Sequence, residues 1–280
     1  MPRPAAHDGG RVDLHAHTVF SDGQLTPEAL VELAVERGLA AIAITDHDSI
    51  DGIARARDAA AGRIEIVPGI EVSTSTDGLD LHVLGYFIDP GDARLAAQLK
   101  RFRRERIERV RRIARRLEAL GASIDVDEVL ERAEPGVVGR PHVASALIRG
   151  GHVKSVDDAF RRFLGLRADA YVPRPAFHPA DAIAMIAEAG GVSVLAHPGA
   201  YVPDGLVREL VSKGLDGVEV WHPQHGAALV KRYRALAAEL GIIESGGSDY
   251  HGPGRHTDLG GVRVPASALR RLKDAAGVPG

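Results

Sequence analysis

Short apolar, β-branched runs fall at positions 12–14, 40–45, 64–67, 81–87, 192–196, 217–220 and 242–245. Most of these runs are separated by segments such as 26–37, 50–61, 180–189 and 227–240, in which apolar residues recur three to four apart. A strand-helix-strand alternation of this kind predicts a parallel sheet joined by right-handed crossovers. Seven strands suit a closed or distorted barrel better than a short open sheet, with a doubly wound open sheet as the second choice. The rhythm breaks between positions 92 and 172. There Leu95, Leu99, Phe102, Val110, Ile113, Leu117 and Leu120 keep helical spacing until Gly121 stops them, which predicts an inserted helical subdomain. The expected organisation is a disordered leader over 1–10, a barrel built from 11–91 and 173–280, and a helical insertion over 92–172.

Composition changes this picture in three ways. The chain has 280 residues, 45% hydrophobic, so it can bury a large core, and a formal charge of −3 argues against a globally basic, nucleic-acid-coating surface. The absence of cysteine excludes disulfides, thiolate metal sites and a cysteine nucleophile, leaving 13 histidines as the richest reactive type. Without an apolar signal core or an 18-residue apolar run, a cytoplasmic protein with no membrane partner is expected. Ten Lys or Arg residues fall between positions 100 and 116 against Glu105 and Glu108 alone. They form either a solvated helix face or an attractor for an anionic substrate. Phe102 is the only aromatic of that stretch, so the stacking platform of a dedicated single-strand binder is missing and a small or short substrate follows.

Chemistry-bearing residues collect where the strands end. His15 and His17, in Asp13-Leu14-His15-Ala16-His17, lie two apart and would share a strand face. Thr45-Asp46-His47-Asp48 follows the second apolar run, where barrel enzymes hold catalytic groups, although Asp48 or Ser49 could instead cap the next helix. Glu71 follows the third run and would be costly to bury unpaired, and His82 sits in an otherwise apolar stretch. His197-Pro198 closes one further strand, and Asp249 and His251, flanked by Gly246, Gly247 and Gly252, follow the last. One such motif is weak, whereas five strand ends carrying His, Asp or Glu form a pattern. Imidazole and carboxylate donors without thiolate suit Mn²⁺, Fe²⁺ or Zn²⁺, and their number implies two or three ions.

The order Asp-x-His-x-His, Thr-Asp-His, Gly-x-Glu, His, His-Pro and Ser-Asp-x-His resembles the polymerase and histidinol phosphatase (PHP) superfamily over most of the chain. The resemblance implies a distorted (β/α)7 barrel with a bi- or trinuclear centre, Mn²⁺ first among the ions. It implies His15, His17, Glu71 and Asp249 as ligands of one metal. Glu71 would bridge to a second ion on His82 and His197, and Asp22, His47 and His251 would form a third set. The insertion, the run 138–144 and the run 221–225 resemble, more finely, the subgroup of nucleotide 3′,5′-bisphosphate phosphatases and 5′ to 3′ exoribonucleases. By that likeness the chain would be a phosphoesterase whose metals activate water and whose insertion covers the active site. Arg140, His142 and His225 would bind substrate, and Asp249, His197 and His225 would serve the reaction. Its partners would be a phosphorylated nucleotide or short RNA, with no DNA-binding module. An amidohydrolase cleaving a C–N bond and a non-catalytic, metal-stabilised accessory module are the alternatives.

Overall fold

The computed structural model describes residues 10–76, 78–254 and 257–279. All but the last residue of the expected leader lies outside them. The strands are β1 (Arg11–Asp13), β2 (Leu39–Ile44), β3 (Glu65–Thr76), β4 (Leu79–Tyr86), β5 (Val192–Leu195), β6 (Gly217–Trp221) and β7 (Ile243–Gly246), hydrogen-bonded in that order. The crossovers are α1 (Pro27–Glu36), α2 (Gly52–Ala60), α7 (Pro179–Glu188), α8 (Asp204–Ser212) and α9 (Ala227–Leu240), and α10 (Ala266–Ala275) follows β7. Helix α1 starts where Thr26 accepts a hydrogen bond from the Ala29 amide and Pro27 occupies the first turn.

The all-parallel expectation needs one correction, because β4 runs antiparallel to both β3 and β5. No helix separates β3 from β4, and only a crossover can return a chain parallel to itself, so the tight connection forces a hairpin. Strand β3 is also longer than its apolar run, which puts Glu71 within the strand opposite Leu84. The two edges of the sheet come together beyond β1. The Leu14 amide donates to Gly246, and Ala16 pairs in parallel with Tyr250. Inside the curve the Tyr86 hydroxyl donates to the Leu14 carbonyl at 2.9 Å and meets Ser245 at 3.1 Å, tying β4 to the opposite wall. Leu14, Val67, Tyr86 and Val194 form this inner core with α10, while Ile42, Ile70, Val83 and Val218 pack outward against the helices.

The middle of the chain forms α3 (Ala93–Ala119), α4 (Val126–Ala133), α5 (Arg140–Arg149), α6 (Val156–Ala159) and a π-helical turn, Phe160–Leu164. Helix α3 works in two halves. Leu95, Leu99 and Phe102 join the barrel's outer core, whereas Val110, Ile113 and Leu117 pack with Val143, Leu147 and Leu164 in a separate apolar cluster. Among the described residues no helix is long and apolar enough to cross a membrane.

Candidate metal centre

Histidines and carboxylates meet at one end of the sheet. Asp13 is wholly buried but holds backbone: it accepts from the amides of His15, Ser248 and Gly260. Asp46 likewise accepts from the Thr18 amide and from the Thr18 and Ser21 hydroxyls, all at 2.7 Å. These two acids staple the strand ends together and leave the following side chains to face inward. Asp48 caps no helix; it accepts from the Ser73 amide and from Arg106.

Glu71 lies at the middle of the cluster with its carboxylate buried. Its Oε2 is 3.3 Å from His15 Nε2, 3.2 Å from His17 Nε2 and 3.0 Å from His47 Nδ1. Its Oε1 is 2.8 Å from His82 Nδ1 and 2.9 Å from His197 Nε2. Asp249 Oδ1 lies 3.4 and 3.1 Å from the same nitrogens of His15 and His17. Asp22 lies 3.2 Å from His251 Nε2, and both approach His17 and His47. Three sets of donor atoms result, each set within 4.8 Å: His15, His17, Glu71 and Asp249; His17, Asp22, His47 and His251; and His47, Glu71 and His82. Asp48, His197 and Asp249 adopt positive φ of 49°, 24° and 50°, a left-handed strain that persists where a site requires it.

Whether this floor suits cations can be tested on its hydrogen bonds. His15 Nδ1 donates to Glu219 at 3.0 Å, so the Nε2 turned toward Glu71 and Asp249 carries a lone pair and faces other lone pairs. His15 Nε2, His47 Nδ1, Asp22 Oδ1 and Glu71 Oε2 are buried without a hydrogen-bond partner. Buried acceptors turned on one another are costly unless a positive charge lies between them, and divalent ions fit. The titration directions show the same demand for positive charge, met by the imidazoles: burial opposes a charge on His15, but Glu219, Glu71 and Asp249 push it well above its ordinary value. Burial would raise Glu71 and Asp249, yet the surrounding histidines hold both well below the usual carboxylate range. Burial opposes a charge on His251, but Asp22 and Asp249 push it up to about 10.

Two residues of this floor were not singled out from sequence. Glu219, buried in β6, orients His15 through Oε1 and accepts from the His197 amide at 2.7 Å through Oε2. His222 accepts from the Gln224 amide on Nδ1, which leaves Nε2–H directed at Asp249 Oδ2, 3.4 Å away. His225 departs from its expected catalytic and substrate roles. Its Nδ1–H donates to the Val220 carbonyl and its Nε2 accepts from the Gly199 amide, so both nitrogens are committed to backbone, and burial lowers its pKa. His142 accepts from the Gly139 amide and closes the first turn of α5.

Across a cavity of about 110 Å³ from Asp22, His47 and His82 stands a roof of four arginines, Arg106, Arg109, Arg140 and Arg174. Arg140 pairs with Asp80 at 3.2 Å and lies over the rings of Phe160 and Tyr171, and Arg106 pairs with Asp48. Burial, then the neighbouring guanidinium groups, lower Arg109 to about 9, and burial with Arg106 lowers Arg174 to about 10. Arg109 Nη2 and Arg174 Nε are buried donors without an acceptor. The basic run of α3 is therefore divided: Arg101, Arg103 and Arg111 pair with glutamates at the surface, and Arg106 and Arg109 face the cavity.

Comparison with known proteins agrees with this geometry. The PHP domain family matches residues 13–134. The chain is 36% identical over 250 residues to a 3′,5′-nucleoside bisphosphate phosphatase of Chromobacterium violaceum, covering 87% of this chain and 88% of that one. The chain belongs to the PHP domain family. It is also 34% identical to the 5′-3′ exoribonuclease Rnm of Escherichia coli, over 96% of this chain and 91% of the relative. A crystal structure from Bifidobacterium adolescentis, described as a metal-dependent phosphoesterase, superposes with a TM-score of 0.88 at 31% identity and covers 98% of both chains. As a PHP protein with this fold and this donor set, the chain is a metal-dependent phosphoesterase.

Proposed function

We propose that this PHP protein removes one phosphate from a nucleoside 3′,5′-bisphosphate, leaving the 5′-monophosphate, and also accepts short 5′-phosphorylated RNA. The observation that carries this reading is the complementarity of the two walls of one small cavity: Asp22 and His47 on the floor and Arg109 and Arg174 on the roof all line it, and each holds a buried polar atom without a partner. A substrate with two phosphate groups answers both needs, one group at the floor and one at the roof. The names of the two relatives support the same substrate class.

Residue roles follow from position. His15, His17, Glu71 and Asp249 would hold one divalent ion, His82 and His197 with Glu71 a second, and Asp22, His47 and His251 a third, with Mn²⁺ favoured. When bound, such ions supply Lewis acidity, lowering the pKa of water toward about 7 and neutralising charge on phosphoryl oxygens. Glu219 fixes the tautomer of His15, and His222 fixes the carboxylate of Asp249, so the ligands are set before substrate arrives. Arg140, Arg109 and Arg174 clamp the phosphate that is not cleaved. With its reactive nitrogens absorbed by backbone, His225 serves the loop after β5 instead of a proton transfer.

The test is phosphate release by metal-free protein reconstituted separately with Mn²⁺, Zn²⁺ and Mg²⁺, on adenosine 3′,5′-bisphosphate, on short 5′-phosphorylated RNA and on a panel of amides. Release from the bisphosphate, fastest with Mn²⁺, is expected. Turnover of amides alone would overturn the proposal.

A further inference from the structure

Most of the cavity is lined by charged and polar groups, but one strip of it is not. Val137, Pro141 and Phe160, all from the insertion, are the apolar side chains among its lining residues. Their places in the fold fix where the strip runs. The Val137 amide donates to the Phe20 carbonyl at 3.1 Å, and Gly136 lies so close to Val19 that a Cβ would collide with its carbonyl oxygen. This end is therefore pressed against the loop that carries Ser21 and Asp22. Pro141 lies in the first turn of α5, directly after Arg140, and at the other end the Arg140 guanidinium is 5.5 Å from the centre of the Phe160 ring. The strip thus reaches from the floor beside Asp22 to the roof beside Arg140.

Packing accounts for only part of Phe160. The half-buried ring rests on the insertion's own apolar cluster and also lines the cavity. It opens the π-helical turn Phe160–Leu164, which closes where the Gly165 amide donates to the Phe160 carbonyl at 2.7 Å. Turns of this kind are rare and gather at functional sites. Phe163 and Leu164 of the same turn are buried, so the turn divides its side chains between core and cavity. The strip also brings no hydrogen-bond donor of its own: Pro141 has no amide hydrogen, and the Gly139 amide is taken by His142 Nδ1 at 3.1 Å. Such a surface contributes nothing to holding phosphate and suits the uncharged body of a ligand.

We propose that Val137, Pro141 and Phe160 form the subsite for the nucleobase, which lies against the Phe160 ring while the phosphates take the floor and the roof. This rests on the substrate class proposed above and adds to it the part of the molecule between the two charges. In a nucleoside 3′,5′-bisphosphate the nucleoside joins the two phosphate groups, as the strip joins the two walls. One ring accommodates one base. With no side-chain donor or acceptor in the strip, contact is with the face of the base and not with its edge, so purine and pyrimidine are both accepted.

The experiment is titration calorimetry on the Mn²⁺-loaded protein with adenosine 5′-monophosphate, cytidine 5′-monophosphate and ribose 5-phosphate, in the native chain, Phe160→Ala and Phe160→Leu. Ribose 5-phosphate carries the phosphate without a base and so reads any change in Arg140; the ratio of affinities isolates the base. The native protein should favour both nucleotides over the sugar phosphate by about ten-fold or more, the range that one stacked base supplies. Phe160→Ala should bring that ratio close to unity. Phe160→Leu keeps an apolar side chain against the insertion core and should still lose most of the ratio, because the ring is gone. Circular dichroism shows whether each variant folds, and the leucine variant decides the matter if the alanine one does not. Equal affinity for nucleotide and sugar phosphate in the native chain, or an undiminished ratio in Phe160→Leu, overturns the assignment. A preference confined to one of the two nucleotides overturns contact through the face of the base. Phosphate release from adenosine 3′,5′-bisphosphate is read separately. A ratio that depends on Phe160 without such release supports the subsite and sinks the proposed reaction; release without any preference sinks the subsite alone.

Discussion

The floor and the roof of the cavity reach their charges by different routes. On the floor, histidines and carboxylates from the ends of β1, β2, β5 and β7 and from within β3 and β4 alternate around Glu71, and their lone pairs point at one another. On the roof, four guanidinium groups crowd together with Asp48 and Asp80 as their paired acids, and Arg109 Nη2 and Arg174 Nε are left without an acceptor. One wall lacks cations and the other lacks anions. Rigid strand ends give the first its geometry, which metal ligation requires; a helical appendage gives the second its reach, which recognition requires. On the proposed function the comparison makes chemistry and selectivity separable, and variants on each wall should show it.

The largest effect is expected on the floor. Asp249→Asn keeps the size of the side chain but removes the charge facing His15, His17 and His222. It should lower kcat by about a thousand-fold or more, the scale of losing a charge that stabilises the transition state. Bound metal per chain should fall with it, and circular dichroism should be unchanged. A near-native rate would remove Asp249 from the metal site and break the division between the walls.

Next comes Arg106, the one roof residue that also braces the floor. Its guanidinium donates to buried Asp48, which directly follows His47, at 2.6 and 2.8 Å. Arg106→Met strands that carboxylate and should cost about 3 kcal/mol of stability, read as a lowered melting temperature at pH 7. The sign with pH is fixed by the folded pKa of Asp48, which burial would raise but Arg106 pulls below the ordinary value of 3.8. The stabilisation is therefore complete above that value and is lost as the pH falls below it. An unchanged melting temperature would show that the pair contributes only to recognition.

Much of the floor could be read from the chain and little of the roof could. His15 and His17 are legible because a strand places alternate residues on one face, and His47, His197 and Asp249 because each follows an apolar run. Glu219 and His222 obeyed the same logic, a carboxylate inside an apolar strand and an imidazole just after it, and the signal was present but passed over for His225. The direction of β4 was legible too, in the missing helix between 67 and 81. The roof differs in kind. Arg106 and Arg109 share a helix face by their spacing of three, but nothing local says that this face looks into a cavity rather than at water. Arg174 lies in an irregular segment with no period at all, and only the packing of the insertion against the barrel brings it to Arg106.

Arg174 therefore gives the finest test of the comparison. Unlike Arg106 it leaves no buried acid stranded: burial and Arg106 lower its pKa to about 10, and its Nε has no acceptor. In the free protein it is a partly buried charge beside like charges, a cost that an isosteric apolar side chain removes. Arg174→Met should accordingly raise stability, by on the order of 1 kcal/mol. The same change should raise KM for a nucleoside bisphosphate by about ten-fold, the loss of one charged hydrogen bond, with kcat held within a factor of two because the floor is intact. Melting curves and steady-state kinetics on one variant check both halves. If stability and affinity instead fall together, Arg174 is a structural brace like Arg106, and the strain across the roof is not held for an anion.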